Sequence, residues 1–239
     1  HNSIKQRDFE KIPGAPIAYW VPEEVITAFE ETEPVKKVGQ TRKGMVTADN
    51  RRFIRRWYEV DSRNIGWEQE NRVEAKKSGK RWFKYQKSSG SGKWFGMNDC
   101  VVDWENDGQR LLNYRSTNHN LEFIFAEAIV WSKVSTDDLG ARYAPEGFLF
   151  DDSSPFVKMD NDDKTEIAIS FLNSKVANYF VKALNPTLNF SPGTVGNLPL
   201  MNPGETSQEI QSKAKASISV SKADWDSRET SWDFTQHPL

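Results

Sequence analysis

The spacing of apolar and polar positions divides the chain into a strand-rich first part and a helical last third. Five short runs of apolar or alternating residues predict strands, at residues 53–60, 81–85, 99–104, 123–131 and 147–150, and residues 35–46 predict a further strand and turn. Residues 164–183 are apolar at helical spacing, which predicts a buried helix, and residues 22–31 and 207–224 predict two more helices. This order predicts an α+β fold, in which a β-rich domain carries a buried helix and a C-terminal helix.

The composition excludes several kinds of protein and site. Hydrophobic residues make up 37% of the 239 residues, which is enough to build a core, and no apolar run approaches the roughly 18 residues that a membrane helix needs. The chain has one cysteine and three histidines, so we expect neither a disulfide framework nor a metal site or catalytic triad built on these residues. We therefore expect a cytoplasmic protein with no metal in this chain.

The charged residues are distributed unevenly. A formal net charge of −2 argues against a nucleic-acid partner, because nucleic-acid-binding domains are usually basic. Residues 36–93, however, hold 17 Lys and Arg against 6 Asp and Glu, a net charge of +11, whereas the remaining residues hold 15 against 28, a net charge of −13. A basic third joined to an acidic remainder indicates a polyanionic partner.

Two basic clusters in this third are interleaved with polar and aromatic residues. The first, residues 42–57, places six cations around a polar turn that contains Asn and Arg, the residue types that contact adenine and guanine edges through two hydrogen bonds. The second, residues 76–94, interleaves cations with Trp, Phe and Tyr, whose rings stack on bases. In the alternative interpretation, both clusters are solvated strand faces whose aromatic side chains point inward.

One set of residues indicates a different chemistry. Asp61, Glu74 and Lys76 match an Asp…Glu-x-Lys nuclease set, in which two carboxylates hold Mg²⁺ and the lysine polarises a water. Glu74 and Lys76 fall in a polar segment without a strand pattern, which argues against this hypothesis. The chain also has no Asn-Pro-Pro-Tyr motif and no glycine-rich turn after a predicted strand, so apart from the nuclease set we assign no catalytic residue to it.

A series of segments gives a resemblance that covers nearly the whole chain. In order, the segments are Asp8-Phe-Glu-Lys-Ile-Pro-Gly-Ala-Pro-Ile-Ala-Tyr-Trp, Gly44-Met-Val-Thr-Ala-Asp-Asn-Arg-Arg-Phe, Lys93-Trp-Phe-Gly, Val102-Asp-Trp-Glu-Asn-Asp-Gly, Ile129-Val-Trp-Ser, Ala141-Arg-Tyr-Ala-Pro-Glu-Gly-Phe, Phe171-Leu-Asn-Ser-Lys, Leu184-Asn-Pro-Thr-Leu-Asn and Glu229-Thr-Ser-Trp-Asp-Phe. Together they resemble the C-terminal part of the PglX family, the adenine-specific DNA methyltransferases of BREX phage-defence systems, and their type IIG restriction-modification relatives.

The resemblance implies a target-recognition domain that serves a catalytic domain elsewhere in a longer protein. In this family an upstream domain binds S-adenosylmethionine, carries the Asn-Pro-Pro-Tyr motif and flips an adenine for N6 methylation. Residues 1–34 would join that domain, residues 35–204 would form the recognition domain, and residues 205–239 would form a helix and a joint to a further helical region. Residues 44–53 correspond to the family's Gly-x-x-Thr-Gly-x-Asn-x-x-Phe stretch, with Ala48 in place of its second glycine.

The expected ligand is double-stranded DNA, contacted by two classes of side chain. The side chains expected to read bases are Thr47, Asp49, Asn50, Arg51, Lys93, Asn98 and Arg142. Those expected to contact phosphates are Arg42, Lys43, Arg52, Lys76, Lys77, Lys80, Arg81, Lys84 and Lys87. Loss of Arg51 should relax sequence choice, whereas loss of Lys84 should weaken binding to all sequences alike.

A rival hypothesis makes the chain a protein-interaction module of a defence complex. Its basic face would then bind an acidic partner, such as a phage DNA-mimic protein or another BREX component. In both hypotheses the upstream methyltransferase domain is a partner, S-adenosylmethionine binds outside this chain, and no membrane is involved.

Overall fold

Two β-sheets and a layer of helices form the architecture of the computed structural model, which describes residues 13, 21–87, 90–185, 187 and 189–237. The motif at residues 8–20 lies outside the described residues except for Pro13, and so does most of the segment 1–34. The α+β class predicted from the sequence is confirmed, because two sheets and helices at both ends are present.

The helices and strands follow one another along the whole described chain. In order they are α1 (Glu23–Glu31), β1 (Gly39–Arg42), α2 (Asn50–Phe53), β2 (Ile54–Arg56), β3 (Ile65–Gly66), α3 (Arg72–Lys77), β4 (Trp82–Gln86), β5 (Cys100–Asp103), α4 (Glu105–Leu112), β6 (Ala128–Trp131), β7 (Ala141–Ala144), β8 (Leu149–Phe150), β9 (Phe156–Met159), α5 (Thr165–Leu172), α6 (Lys175–Leu184), α7 (Pro192–Gly196) and α8 (Ser207–Asp226). Short 3₁₀ turns occur between some of them.

The two sheets pack on either side of a cluster of phenylalanines. The first sheet has the order β1–β9–β6–β7 and is antiparallel throughout. In the second, β5 lies between β2 and β4, and the other edge of β4 pairs in parallel with β3 and then with β8. Phe150 of β8 stacks on Phe156 of β9, with ring centres 4.3 Å apart. Phe148, directly before β8, and Ala128 and Val130 of β6 belong to the same cluster.

The opposite face of the first sheet is covered by helices. Ile129 and Trp131 of β6 point toward α5, α6 and α7, because successive strand residues face opposite sides. Val25 and Ile26 of α1 and Ala214 of α8 belong to the same apolar cluster. The helices from both ends of the described chain therefore share one core with the first sheet.

The predicted buried helix at residues 164–183 is two helices with a break between them. Ser174 begins α6, and its hydroxyl accepts the N–H of Ala177 at 3.1 Å. Asn173 turns away to pair with β7, where its amide accepts the N–H of Ala141 at 2.9 Å and donates to the Ala141 carbonyl at 3.0 Å. Short polar side chains that bond to backbone groups in this way compete with the hydrogen bonds of a helix. The helix therefore ends at Leu172, although the apolar pattern continues to residue 183.

Two predicted strands are shorter than their apolar runs. Of residues 53–60, only β2 is strand, and a 3₁₀ turn follows from Trp57 because the Glu59 carboxylate accepts the N–H of Arg56 at 2.8 Å. Of residues 123–131, only β6 is strand, and Phe125 lies at φ +70° before it. Strands β3, β7 and β9 were not predicted from the pattern.

The C-terminal segment connects the helical layer to the second sheet. After α8, the buried Ser231 donates to the Asp226 carboxylate at 2.7 Å, and the Thr230 carbonyl accepts the indole N–H of Trp57 at 3.0 Å. The Trp232 ring lies 5.8 Å from that of Phe148. Although α8 has 20 residues, neither it nor any other helix within the described ranges is both long and apolar enough to cross a membrane.

The paired hydrogen bonds of Asn173 predict a stability effect. We expect Asn173→Ala to lower the free energy of unfolding by about 2 kcal/mol, because it leaves the buried N–H of Ala141 without an acceptor. Urea denaturation measures the change, with Asn64→Ala, at an exposed side chain, as the control. Equal stability of both variants and the unmodified chain would contradict this role of Asn173.

Candidate nucleic-acid interface

The loop at residues 44–53 begins with a contact that only glycine permits. A Cβ on Gly44 would lie 2.0 Å from the carbonyl oxygen of Asp151 and 2.6 Å from that of Phe150. The missing side chain lets the buried Met45 pair with the end of β8: its N–H donates to the Phe150 carbonyl at 2.7 Å, and its carbonyl accepts the N–H of Asp152 at 2.9 Å. The motif glycine therefore attaches the loop to the second sheet.

The middle of the loop turns through a left-handed residue. Ala48 has φ +62°, a conformation that glycine adopts without strain and that costs an alanine about 1 kcal/mol. This backbone explains the glycine in the corresponding motif of the family. Asp49 then caps the short helix α2, where its carboxylate accepts the N–H of Arg52 at 3.1 Å, and the buried Phe53 ends the loop.

The loop holds Asn50 in a defined orientation and leaves part of its amide available. The hydroxyl of Thr47, a residue only 2% exposed, donates to Oδ1 of Asn50 at 2.6 Å. The Nδ2 of Asn50 has no partner in the part of the chain that the structure describes. Asn50 and the next residue, Arg51, are both exposed, so the motif presents an amide and a guanidinium side by side from a braced loop.

A groove with a volume of about 710 Å³ runs beside this loop. Four of the seven predicted base-reading residues line it, namely Thr47, Asp49, Asn50 and Arg51. The opposite wall consists of Lys87, Lys133, Val134 and residues 151–153. The groove is therefore the place where the structure brings most of the predicted base-reading side chains together.

A buried carboxylate organises the opposite wall. Asp151 accepts hydrogen bonds from the Tyr85 hydroxyl at 3.0 Å and from the N–H and hydroxyl of Ser153 at 2.9 and 2.6 Å, and it pairs with Lys87 at 2.9 Å. Burial, followed by the charge of Asp151, raises the pKa of Tyr85 well above its ordinary value. Because four donors from the protein surround this carboxylate, it is a structural centre of the groove.

The other three predicted base-reading residues lie elsewhere. Lys93 is exposed but donates to the Asn173 carbonyl at 2.9 Å and lines a separate pocket of about 440 Å³. Asn98 is only 4% exposed. Arg142 has no exposed surface, its guanidinium donates to the Gly92 carbonyl at 2.9 Å, and burial lowers its pKa to about 10. The burial of Asn98 and Arg142 argues against the base contacts predicted for both side chains.

Several of the predicted phosphate-contacting residues are committed to partners within the protein. Arg81 binds the buried Asp103 carboxylate at 2.9 Å, and Lys80 donates to the Arg63 carbonyl at 2.5 Å. Lys87 pairs with Asp151, as described above. Arg42 donates to the carbonyl of Thr41 and to the side chain of Gln40, and stacks over Phe123. The second basic cluster therefore does not form one surface of free cations.

Lys84 lies in an acidic pocket. Its ammonium is 5.0 Å from the centre of the Phe148 ring, and burial lowers its pKa. The other charged residues that line the pocket are all acidic: Glu68, Glu70, Glu127 and Glu146. A phosphate placed here would be repelled by these carboxylates, which argues against the phosphate contact predicted for Lys84.

Four predicted phosphate-contacting residues remain accessible. Lys43, Lys76 and Lys77 are exposed, and their ammonium groups have no partner within the described ranges. Arg52 is exposed and stacks over the rings of Phe53 and Tyr114, 5.3 and 5.0 Å from their centres. Lys43 and Arg52 lie directly before and within the loop at residues 44–53, whereas Lys76 and Lys77 end α3.

The nuclease hypothesis finds no support in this geometry. Asp61 pairs with Arg63 at 2.8 Å, and the hydrogen bond from that guanidinium lowers the pKa of Asp61. Glu74 and Lys76 are exposed on α3. Across the described residues, no group of three or more His, Cys, Asp and Glu side chains is placed to hold a metal ion.

The sequence reasoning missed the second wall of the groove. Lys133 pairs there with Asp152 at 2.6 Å, and Ser153 binds Asp151. The available signal was the polar run Asp151-Asp-Ser-Ser-Pro directly after the strand predicted at residues 147–150, since such runs mark loops at strand ends, where binding residues concentrate.

Comparison with known proteins supports the resemblance seen in the motifs. No protein-family model matches the chain. Adenine-specific methyltransferase PglX of Lacticaseibacillus casei (strain Zhang) is 37% identical over 246 residues, and adenine-specific methyltransferase BrxX of Escherichia coli O9:H4 (strain HS) is 35% identical over 241 residues, each alignment covering 98% of this chain. The chain is homologous to a segment of these methyltransferases. The chain spans only about a fifth of the length of these two relatives, 20% and 19%. Target recognition by this segment therefore stays a prediction.

The left-handed backbone at residue 48 predicts a stabilising substitution. Ala48→Gly should raise the free energy of unfolding by about 1 kcal/mol, because it removes the steric cost of the positive φ. The same substitution at the exposed helical Ala216 should instead lower it by about 1 kcal/mol. Denaturant unfolding of both variants checks the opposite signs, and a loss of stability at residue 48 would refute the assigned conformation.

The buried hydroxyl of Tyr85 predicts a dependence of stability on alkaline pH. Because its folded-state pKa is raised above the ordinary value of 10.0, the stability linked to its proton is complete below pH 10 and falls as the pH rises further. Unfolding free energies at pH 9 and pH 11 should therefore differ less in Tyr85→Phe than in the unmodified chain. Tyr58→Phe, at an exposed ring, should behave like the unmodified chain, and equal pH dependence in all three proteins would count against the prediction.

Proposed function

We propose that the chain is the target-recognition domain of an S-adenosylmethionine-dependent N6-adenine DNA methyltransferase in a bacterial BREX phage-defence system. The loop at residues 44–53 and the groove beside it would face double-stranded DNA. One observation carries this proposal: a chain homologous to adenine-specific methyltransferases exposes Asn50 and Arg51 together, on a loop that Gly44 and Thr47 hold in place.

The two exposed side chains have the chemistry that base reading needs. An Asn amide forms two hydrogen bonds with adenine, and an Arg guanidinium forms two with guanine, in the major groove. Both side chains come from the first turn of α2, whose start is fixed by the Asp49 cap. Anchoring on a braced loop lowers the entropy lost on binding and improves discrimination between bases.

Phosphate contacts are assigned to the free cations of the same loop region. Lys43 and Arg52 flank the two reading residues in the chain, so they would position the loop on the DNA backbone. Lys87 and Lys133 are neutralised by Asp151 and Asp152 in this structure, and we leave them out of the phosphate set.

The described residues do not form the glycine-rich strand–turn–helix that a site for S-adenosylmethionine needs. A parallel strand–helix–strand unit is present in β3–α3–β4, but its turn, residues 67–71, reads Trp-Glu-Gln-Glu-Asn and contains two carboxylates and no glycine. A nucleotide-type cofactor needs a glycine-rich turn that lets the backbone approach it closely. We therefore assign cofactor binding and catalysis to the methyltransferase domain of the longer enzyme.

Substitution of Arg51 in the full-length methyltransferase tests the proposal. In Arg51→Ala, the ratio of methylation rates for the preferred site and for sites altered at one base pair should fall by about tenfold, because a lost two-bond contact removes discrimination at one position. Sequencing of methylated adenines and rates on synthetic duplexes measure the ratio. Arg63→Ala, which removes an exposed arginine paired with Asp61, is the matched control.

Lys43→Ala should behave differently from Arg51→Ala. It should lower affinity for all duplexes alike and reduce the slope of log affinity against log salt concentration by about 1, because one phosphate contact is lost. If neither variant changes methylation or DNA affinity while complexes with other defence proteins persist, the rival protein-interaction hypothesis replaces the DNA-reading one.

A further inference from the structure

We propose that residues 113–120 form a second base-reading segment beside the loop at residues 44–53, in which Arg115 and Asn118 determine specificity. This inference rests on the proposed function and extends it. Residues 113–120 belong to neither basic cluster in the sequence, and their position is known only from the fold.

A short three-segment ribbon places residues 113–120 next to the loop. Met45 pairs with residues 150–152, as described above, whereas Val46 pairs with Thr117. The N–H of Val46 donates to the Thr117 carbonyl at 2.9 Å, and the N–H of Thr117 donates to the Val46 carbonyl at 3.0 Å. Successive residues of an extended chain direct their backbone groups to opposite sides. Residues 45–46 therefore lie between residues 150–152 and Thr117.

Two further contacts attach residues 113–120 to the loop near both of its ends. The Asn120 amide donates to the Lys43 carbonyl at 2.6 Å, just before the loop begins. At its other end, the Arg52 guanidinium stacks 5.0 Å above the Tyr114 ring, which also lies 5.5 Å from the Phe53 ring. The two segments are therefore neighbours at both ends of the loop, and the proposed DNA ligand at Asn50 and Arg51 would also reach residues 115–118.

The conformation of residues 113–120 is fixed internally. The buried Ser116 hydroxyl donates to the Leu111 carbonyl at 2.6 Å and lies 2.8 Å from Nε2 of His119. Asn118 and Asn120 both adopt left-handed backbone, at φ +56° and +46°, a conformation that Asn accepts more readily than most residues. A segment held in this way presents its exposed side chains at defined positions, as base reading requires.

The exposed side chains of this segment match base edges. Arg115, Thr117 and Asn118 are exposed, and residues 113–120 contain one cation and no acidic residue. Arg and Asn are the types that read guanine and adenine. Neighbouring extended segments lie about 4.8 Å apart, and base pairs are about 3.4 Å apart along the helix axis. The bases contacted by Arg115 and Asn118 should therefore lie within about three base pairs of the one read by Arg51.

Sequencing of methylated adenines with the full-length methyltransferase tests this segment. Arg115→Ala and Asn118→Gly should each relax the preference at one position by about tenfold, within about three base pairs of the position that Arg51→Ala relaxes. Asn118→Gly is the sharper variant, because glycine keeps the left-handed backbone while the amide is lost. Arg228→Ala, an exposed arginine at the end of α8, should change no position.

The outcomes separate this inference from the proposed function. If Arg51→Ala relaxes a position and neither Arg115→Ala nor Asn118→Gly does, the inference fails and the proposed function stands. An equal decrease on all sequences would also overturn it, since that result assigns Arg115 to phosphate contact alone. If no variant, including Arg51→Ala, changes the preference, the proposed function fails with it.

Discussion

The close approach of Gly44 to the backbone of Asp151 is the constraint on which the candidate interface depends. Since no Cβ fits there, the chain after β1 lies directly on the end of β8, and Met45 and Val46 become the middle of a three-segment ribbon. One side of the ribbon leads into the groove wall at residues 151–153, and the other carries residues 113–120. The same wall continues into β9, so the contact joins the interface to both sheets.

The charges of the basic third are used for two purposes, and only the fold separates them. Arg81 of this third binds the buried Asp103 together with Arg110, which lies outside the third, and Lys87 binds the buried Asp151. A buried carboxylate is stable only when donors satisfy it, so these cations stabilise the second sheet and its edge. Of the predicted phosphate-contacting cations that remain free, Lys43 and Arg52 lie at the loop at residues 44–53, and Lys76 and Lys77 lie at the end of α3. A net charge of +11 in the sequence therefore overstates the charge available to a polyanion.

The sequence predicted features that depend on local pattern and missed those that depend on distant contacts. The spacing of apolar residues and the residues at the helix ends predict α1 and α8 from the sequence. Together with the predicted strands, these helices give the α+β class. The break at Asn173 escaped prediction because its amide bonds to β7, far along the chain. Likewise, Arg142 has the right chemistry for DNA, but its burial is decided by tertiary packing. Residues 113–120 carried no sequence signal of base reading, because only the pairing of Thr117 with Val46 places them at the interface.

Amide hydrogen exchange of the protein with and without a duplex containing its methylation site tests the central claim most directly. The account predicts slower exchange in three separate segments, residues 44–53, 113–120 and 151–153, and no change in α8. Because the three are distant in sequence, joint protection requires the surface described here. Protection confined to residues 76–87 or to the acidic pocket around Lys84, with these three segments unchanged, would contradict it.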